Sequence, residues 1–206
     1  MKKILLITGL LICSLNYAQN DHKGLIGFSI GTSMPTGDFA SKDHSNMKGK
    51  YADLGINYNI DGAYFFHENF GISANLFSKS WGLDFIYEYD EWFYSSSGIL
   101  LGGIATIPKG NFNFDFKLQL GYAKSKREVM SGGLHIFHDM IVPKLTGEAF
   151  AYSTGLGIRL HLGKRIDTML NYTYFNTKPT LENNGSYSID YDITSNNFTL
   201  GVGYRL

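Results

Sequence analysis

Two sets of residues in the sequence have side chains that could perform chemistry. A histidine close to a serine can activate the hydroxyl as a nucleophile, and His161 and Ser153 lie eight residues apart in one segment. That segment alternates as a β-strand does, so the two side chains are roughly 26 Å apart at about 3.3 Å per residue. They cannot form a catalytic dyad, and we expect no catalytic residues and no enzymatic activity.

The stretch from His135 to Asp139 holds two imidazoles and a carboxylate, which are ligand types that transition metals bind. Neither a cysteine nor a second cluster of ligands accompanies them. We therefore interpret the stretch as an amphipathic part of a long loop. We expect no metal ion and no other cofactor.

The elements that must position the remaining polar side chains are strands with two unlike faces. In NFNFDFKLQLGYA (111–123), every second residue from Phe112 to Tyr122 is large and apolar, whereas Asp115 and Lys117 lie between them. Strict alternation of this kind predicts a β-strand. Eight such segments follow one another, at about 24–36, 52–66, 70–81, 92–106, 111–123, 148–162, 166–176 and 193–206.

The first twenty residues, MKKILLITGLLICSLNYAQN, have the layout of a secretory signal peptide, with cleavage expected after Ala18. Their apolar run is about a dozen residues long, which is too short for a transmembrane helix. We expect 1–18 to be removed and 19–206 to form one domain. The single cysteine, Cys13, lies in the removed segment, so no disulfide is expected.

Composition argues against a nucleic-acid partner and for an all-β fold. Removal of Lys2 and Lys3 lowers the number of Lys and Arg residues from 18 to 16, against 18 Asp and Glu residues. The mature chain therefore lacks the excess of positive charge that nucleic-acid binding requires. No later apolar stretch is long enough for a transmembrane helix. The chain contains 15 Phe, 14 Tyr and 24 Gly but only 4 Pro, as all-β proteins often do.

The connections between the eight segments alternate in length. Three are tight turns, at about 67–69, 108–110 and 163–165, and four are longer, at about 37–51, 82–91, 124–147 and 177–192. This alternation is typical of outer-membrane barrels, which have short periplasmic turns and longer extracellular loops. We therefore predict an eight-stranded antiparallel up-and-down transmembrane β-barrel in the outer membrane, with both termini periplasmic.

Alternation alone does not decide which face meets water, because a soluble ligand-binding barrel alternates too. Tyrosines flank the apolar faces, as expected at a lipid interface, and the other face is rich in glycine, which suits a narrow interior. Three acids and three bases on that face fall within roughly six residues of the tight turns, where they can neutralise one another. The predicted lumen ion-pair network consists of Asp61, Asp115, Lys117, Arg159, Asp167 and Arg205.

The last eight residues, TLGVGYRL, place Thr199, Gly201, Tyr204 and Leu206 in the pattern of the C-terminal assembly signal of outer-membrane barrels. The usual final residue is Phe, so Leu206 departs from the pattern. This C-terminal pattern, the alternating strands and the stretch GFSIGTSMPTGDFA (27–40) all resemble those of the small OmpA/OmpX-like outer-membrane β-barrel family. The resemblance implies insertion by the barrel-assembly machinery, and it implies no single activity, because members serve as structural proteins, adhesins, narrow channels or enzymes.

We expect a structural or surface-interaction protein with a side-chain-filled lumen. Its partners would be outer-membrane lipid, lipopolysaccharide and an unidentified extracellular partner, met by the extracellular loops. A first alternative is a narrow channel for small or apolar solutes, with the doubly apolar stretch Ile99–Ile104 as a lateral opening or ligand wall. A second alternative is a soluble exported ligand-binding barrel.

Overall fold

The computed structural model describes residues 23–42, 51–83, 91–130, 144–183 and 187–206. The predicted signal peptide (1–18) and the His135–Asp139 stretch lie outside these residues. Across the described ranges, the helical structure is one 3-10 turn at Gly37–Phe39, and no helix is long and apolar enough to cross a membrane.

Ten strands account for most of the described chain. They are β1 (Gly24–Pro35), β2 (Ala52–His67), β3 (Phe70–Leu83), β4 (Glu91–Lys109), β5 (Phe112–Met130), β6 (Leu145–His161), β7 (Ile166–Thr177), β8 (Thr180–Asn183), β9 (Tyr187–Asp190) and β10 (Ile193–Arg205). Eight of them, β1 to β7 and β10, pair antiparallel around a ring that β1 and β10 close. The predicted eight-stranded antiparallel barrel is thus confirmed.

The two ends of the barrel differ. At one end, which we call the turn end, β1 begins, β10 ends, and two-residue turns join β2 to β3 and β4 to β5. Gly110 in the second turn has φ of +62°, a conformation that glycine adopts without strain. At the opposite end, which we call the tall end, the pairing of β4 with β5 continues to Glu91 and Met130.

An apolar band surrounds the outside of the barrel. On β5, the six outward side chains from Phe112 to Tyr122 are each 42–54% exposed, whereas Asp115 between them is 4% exposed. These residues span roughly 33 Å along the strand, or about 25 Å in height at a tilt near 40°. That height matches the lipid-facing band of outer-membrane barrels. The phenylalanines face outward and the charges face inward.

The barrel wall continues beyond this band at the tall end, where its outward side chains become polar. The predicted loop at 124–147 therefore begins as strand, because β5 remains paired to Met130. The predicted loop at 177–192 contains the hairpin of β8 and β9, which pairs with β6 through Thr146 and Glu182. The polar outward residues above the band are Ser78, Ser80, Ser97, Lys124, Lys126, Glu128 and Glu148.

The lateral opening considered for the fourth strand is absent. β4 pairs with β3 along residues Phe93–Ala105 and with β5 along its full length, so no gap is left in this part of the wall. The apolar residues on the two faces of this stretch of β4 have different surroundings. Ile99 and Leu101 are 45% and 58% exposed on the lipid side, whereas Leu100 and Ile104 are 2% and 3% exposed in the lumen.

Candidate functional site: the barrel lumen

The lumen is filled from the inward positions of all eight barrel strands. Successive side chains of a strand point to opposite faces. In β3 and β5 the even-numbered apolar residues face outward, so the odd-numbered residues face the lumen. Glycines allow the strands to come close there. A Cβ atom at Gly31 would lie 1.8 Å from the carbonyl oxygen of Phe198 on the adjacent strand, so the close approach of β1 to β10 requires glycine.

The strongest ion pair in the lumen joins Arg159 of β6 to Asp115 of β5. Arg159 Nε and Nη2 donate to the two carboxylate oxygens at 2.5 and 2.9 Å, a two-point contact that fixes the guanidinium plane. The two side chains are 5% and 2% exposed. Thr106 donates its hydroxyl to the same carboxylate at 2.7 Å, and the Phe65 ring lies 5.1 Å from the guanidinium carbon.

A second carboxylate, Asp167 of β7, collects three basic groups at the turn end. Arg205 Nε lies 3.0 Å away, Arg159 Nη1 lies 3.8 Å away, and His161 Nδ1 lies 2.7 Å away. The Asp167 side chain is fully buried. A carboxylate buried this deeply requires such partners, because isolated charges are costly to remove from water.

Asp61 and Lys117 form a separate pair nearer the middle of the lumen. Lys117 Nζ donates to Asp61 at 3.2 Å, and Asn75 and Ser29 also donate to this carboxylate. The structure therefore places all six residues of the predicted network in ion pairs. They form two groups, and His161 joins one of them although the charge pattern did not include it.

An aromatic plug, formed by Phe39, Trp81, Tyr94 and Tyr191, fills the lumen at the tall end. The Phe39 ring lies 5.2 Å from both the Trp81 and Tyr94 rings, and these three residues are 0–2% exposed. Burial and the neighbouring Tyr191 raise the pKa of the Tyr94 phenol well above its usual range, so it stays neutral. Its hydroxyl donates to Tyr191 at 3.4 Å.

The plug belongs to a larger apolar cluster that sequence reasoning missed. Phe77 of β3 and Phe175 of β7 meet across the lumen with ring centroids 5.0 Å apart. Phe77 and Phe175 occupy positions of their strands that were expected to be small or polar because they face the lumen. Phe39 lies in a segment predicted as a loop. The sequence did hold one indication of this cluster: near the tall end, large aromatic residues replace the small and polar residues at the inward positions of the strands.

Two cavities remain in the lumen. An open cavity of about 750 Å³ lies at the turn end, and Arg159, His161 and Arg205 are among the residues that line it. A central cavity of about 20 Å³ lies where the apolar cluster meets the Asp61–Lys117 pair. The aromatic plug lies on the tall-end side of this central cavity.

The structure separates the residues considered for catalysis. His161 contacts Asp167 at the turn end. Ser153, on the same strand as His161, instead lines the central cavity. Among the described residues there is no group of three or more metal-ligating side chains. The C-terminal residues keep the predicted alternation, with Thr199 buried and Tyr204 exposed toward lipid.

Among the described residues, several charges outside the lumen at the tall end form exposed pairs. Lys124 contacts Glu148 at 2.9 Å, and Lys178 contacts Asp192 at 2.7 Å. Lys144 pairs with Glu128 and lowers the pKa of that carboxyl by donating a hydrogen bond to it. The surface above the apolar band is thus polar and carries paired charges of both signs.

Comparison with known proteins identifies the family. Residues 4–205 match the family described as the outer membrane protein beta-barrel domain. No curated protein matches the chain in sequence.

Several solved outer-membrane barrels are similar in structure. Neisserial surface protein A has a TM-score of 0.55 at 9% identity, covering 89% of this chain and 97% of that chain. Ail, the attachment invasion locus protein of Yersinia pestis, was solved in complex with the heparin analogue sucrose octasulfate. It has a TM-score of 0.52 at 16% identity, covering 89% of this chain and 99% of that chain. OprG of Pseudomonas aeruginosa has a TM-score of 0.51 at 14% identity, covering 89% of this chain and 96% of that chain. At these identities the similarity shows a shared fold.

The soluble ligand-binding barrel considered from the sequence is therefore wrong. Such a barrel would bury its phenylalanines, whereas here Phe114 and Phe116 are 42% and 49% exposed and Asp115 is buried. The family match spans nearly the whole chain and agrees with this arrangement. The chain belongs to the outer membrane protein β-barrel domain family, and it is an integral outer-membrane protein.

Proposed function

We propose that the protein is a closed barrel that acts through its tall end at the cell surface and does not conduct solutes. The observation that carries the proposal is the aromatic plug, because Phe39, Trp81 and Tyr94 fill the lumen just where the wall leaves the apolar band. A channel would need a continuous wet path at this level. The first alternative function, a narrow channel, has no supporting opening among the described residues.

The proposed orientation places the tall end outside the cell and both termini in the periplasm. Short turns at one end and a longer wall at the other support it, because outer-membrane barrels carry their short turns on the periplasmic side. In this orientation, the apolar band contacts lipid. Lys124 and Glu148 then lie at the level of the lipopolysaccharide headgroups, which we propose as neighbours of the barrel.

The chemistry of the tall end favours a partner recognised by paired polar groups. Among the described residues, six charges there form the Lys124–Glu148, Lys144–Glu128 and Lys178–Asp192 pairs, so we propose a protein or glycan partner with mixed polarity. Ail has been solved with a sulfated heparin analogue. For this chain, the paired charges do not favour a strongly anionic ligand.

We also propose that TLGVGYRL serves as the signal for the barrel-assembly machinery. Its Tyr204 and Leu206 side chains face outward at 41% and 54% exposure, so they are accessible before β10 is surrounded by lipid. The test is the yield of folded barrel in the outer membrane. Tyr204→Ala should lower it, whereas Leu206→Phe, which restores the usual final residue, should not.

The orientation is tested by labelling single cysteines in intact cells with a maleimide that cannot cross the membrane. Ser80→Cys at the tall end should react, and Lys109→Cys near a tight turn should react only after lysis, since both side chains are exposed. Reaction of Lys109→Cys but not Ser80→Cys in intact cells would reverse the orientation and remove the proposed surface role. Closure is tested in planar lipid bilayers, where a stable open current would contradict the plug.

A further inference from the structure

The strand β9 forms an edge of the sheet at the tall end. Among the described residues, the order of hydrogen-bonded strands ends at β9, and its neighbour in the sheet is β8. The eight barrel strands, in contrast, are each paired on both sides. An edge strand presents a row of backbone N–H and C=O groups with which another extended chain can pair.

The path of the chain after β1 explains why this edge is open. The first and last barrel strands stay paired up to Thr36, whose N–H donates to the Thr194 carbonyl at 3.0 Å. The chain then forms the 3-10 turn Gly37–Phe39, which carries the Phe39 ring into the lumen beside Trp81. In the register of β1 with β10, a longer β1 would run alongside β9, but the described chain leaves the wall below that level.

The hydrogen bonds of the β8–β9 hairpin decide which backbone groups face the open side. Tyr191 N–H donates to the Pro179 carbonyl at 3.0 Å, which makes these two residues a hydrogen-bonded pair. Hydrogen-bonded pairs alternate with non-hydrogen-bonded pairs along antiparallel strands. The N–H and C=O groups of Ser188 and Asp190 therefore point away from β8.

A separate contact supports this assignment. Thr180 is the partner of Asp190 in the hairpin, so its carbonyl should point away from β9, toward β6. The Thr180 carbonyl does lie on that side, against Gly147 of β6. Two residues of β9 thus offer two donors and two acceptors to the open side.

The two faces of the hairpin differ in polarity. Leu181 is buried, and Ile189 opposite it packs against the apolar cluster of the tall end. Ser188 and Asp190 are exposed on the other face. Because side chains of paired residues lie on the same face, an added strand would meet the apolar cluster on one face and water on the other. A chain with alternating apolar and polar residues fits this edge.

We propose that the open edge of β9 binds an extended segment of an extracellular protein, which adds to the sheet as an antiparallel strand. The edge requires donors and acceptors at the spacing of a β-strand, and a polypeptide backbone supplies them. A glycan lacks this repeat of amide and carbonyl groups. The antiparallel direction continues the line of β1. The inference rests on the proposed surface role of the tall end, and it narrows the partner to an extended polypeptide.

The test uses the whole barrel in lipid nanodiscs and a seven-residue synthetic peptide in which threonine and valine alternate between terminal lysines. Amide exchange measured by NMR should be fast at Ser188 and Asp190 in the free barrel and slow when peptide is present. The Ile189 amide, which faces β8, should not respond to peptide. Unchanged exchange of both edge amides would overturn the proposal. Slow exchange in the free barrel would overturn it too, because the protein's own chain would then cover the edge.

Two N-methylated peptides separate pairing through the backbone from recognition of side chains. In the proposed antiparallel strand, the threonine N–H groups face β9, and the valine side chains face the apolar cluster. Methylation of the threonine nitrogens should weaken binding about tenfold or more by removing hydrogen bonds, whereas methylation of the valine nitrogens should not. Equal affinity of the threonine-methylated and unmodified peptides would contradict strand addition.

A matched pair of variants makes the same distinction on the protein. Ser188→Pro removes an edge N–H at a position where edge strands tolerate proline, so it should weaken peptide binding. Ser188→Ala keeps the backbone and should bind as the native barrel does, and an equal loss in both variants would contradict the proposal. Both membrane sides are accessible in nanodiscs, so a negative result would leave the proposed orientation intact, and cysteine labelling tests that orientation without any peptide.

Discussion

Loss of Asp115 should destabilise the barrel far more than loss of an exposed aspartate. In Asp115→Ala, Arg159 loses two charge-assisted hydrogen bonds of 2.5 and 2.9 Å while its side chain stays 5% exposed. Removing one partner of a buried ion pair costs about 3–5 kcal/mol. Asp167 remains 3.8 Å from Arg159 and keeps part of the attraction, so we expect the lower end of that range.

The pairing energy is isolated by a double-mutant cycle. Arg159→Met removes the cation but retains an unbranched apolar chain in the lumen, and Asp115→Ala/Arg159→Met removes both charges. Because the second substitution removes the stranded charge, the double variant should be more stable than the sum of the two losses predicts, by at least about 2 kcal/mol. The matched control is Asp53→Ala, whose carboxylate is 56% exposed and pairs with Lys42 at 3.9 Å. It should cost less than about 1 kcal/mol.

Reversible urea unfolding in lipid vesicles, followed by tryptophan fluorescence and by the electrophoretic shift of the folded barrel, gives these free energies. A loss below about 1 kcal/mol for Asp115→Ala, together with no coupling to Arg159, would show that the two side chains are not a buried ion pair. That pair of results is what a water-filled lumen would produce, because water screens such charges as it does at a surface.

Three further predictions concern the two faces and the plug. A cysteine at position 114 should react with a lipid-soluble probe, and one at 115 should react with neither lipid-soluble nor aqueous reagents, since Phe114 is 42% and Asp115 is 4% exposed; aqueous labelling at 115 with none at 114 would reverse the assignment. Leu200→Arg should cost about 2–4 kcal/mol in the urea assay, because it places a charge in the lipid-facing band; a neutral result would mean that the site lies outside lipid. Phe39→Ala should cost about 3–5 kcal/mol by leaving a cavity between Trp81 and Tyr94; no loss of stability would mean that the plug does not pack.

The transmembrane part of the fold could be predicted from the sequence because one rule governs it. Each strand crosses a layer with lipid on one side and a narrow polar lumen on the other, so apolar and polar residues alternate. Above the band this rule ends, since the outward face of the wall becomes polar as well. Lys124, Ser125 and Lys126 therefore read as a loop, although β5 continues through them to Met130.

The lumen was predictable only in part, for a related reason. Acids and bases on one face at one level indicated ion pairs, and the structure places those residues in pairs. Lys79 forms no ion pair among the described residues, and no pattern in the sequence singled it out. Phe39 lies in the 3-10 turn Gly37–Phe39, which no periodicity describes, and only the closed barrel brings it to Trp81.

The seam between β1 and β10 has a consequence for the rate at which the protein folds. Gly31 pairs there with Thr199, and Ser33 donates a hydrogen bond to Asn197 at 2.6 Å across a separation of 164 residues. Contacts so distant in sequence are slow to form, because the chain loses most of its freedom before they stabilise it. Trp81 also donates to Ser33 at 2.8 Å, so the seam and the tall end are linked. We expect the final zipping of the first strand to the last to limit the folding rate, with Phe39 reaching its place in the same step.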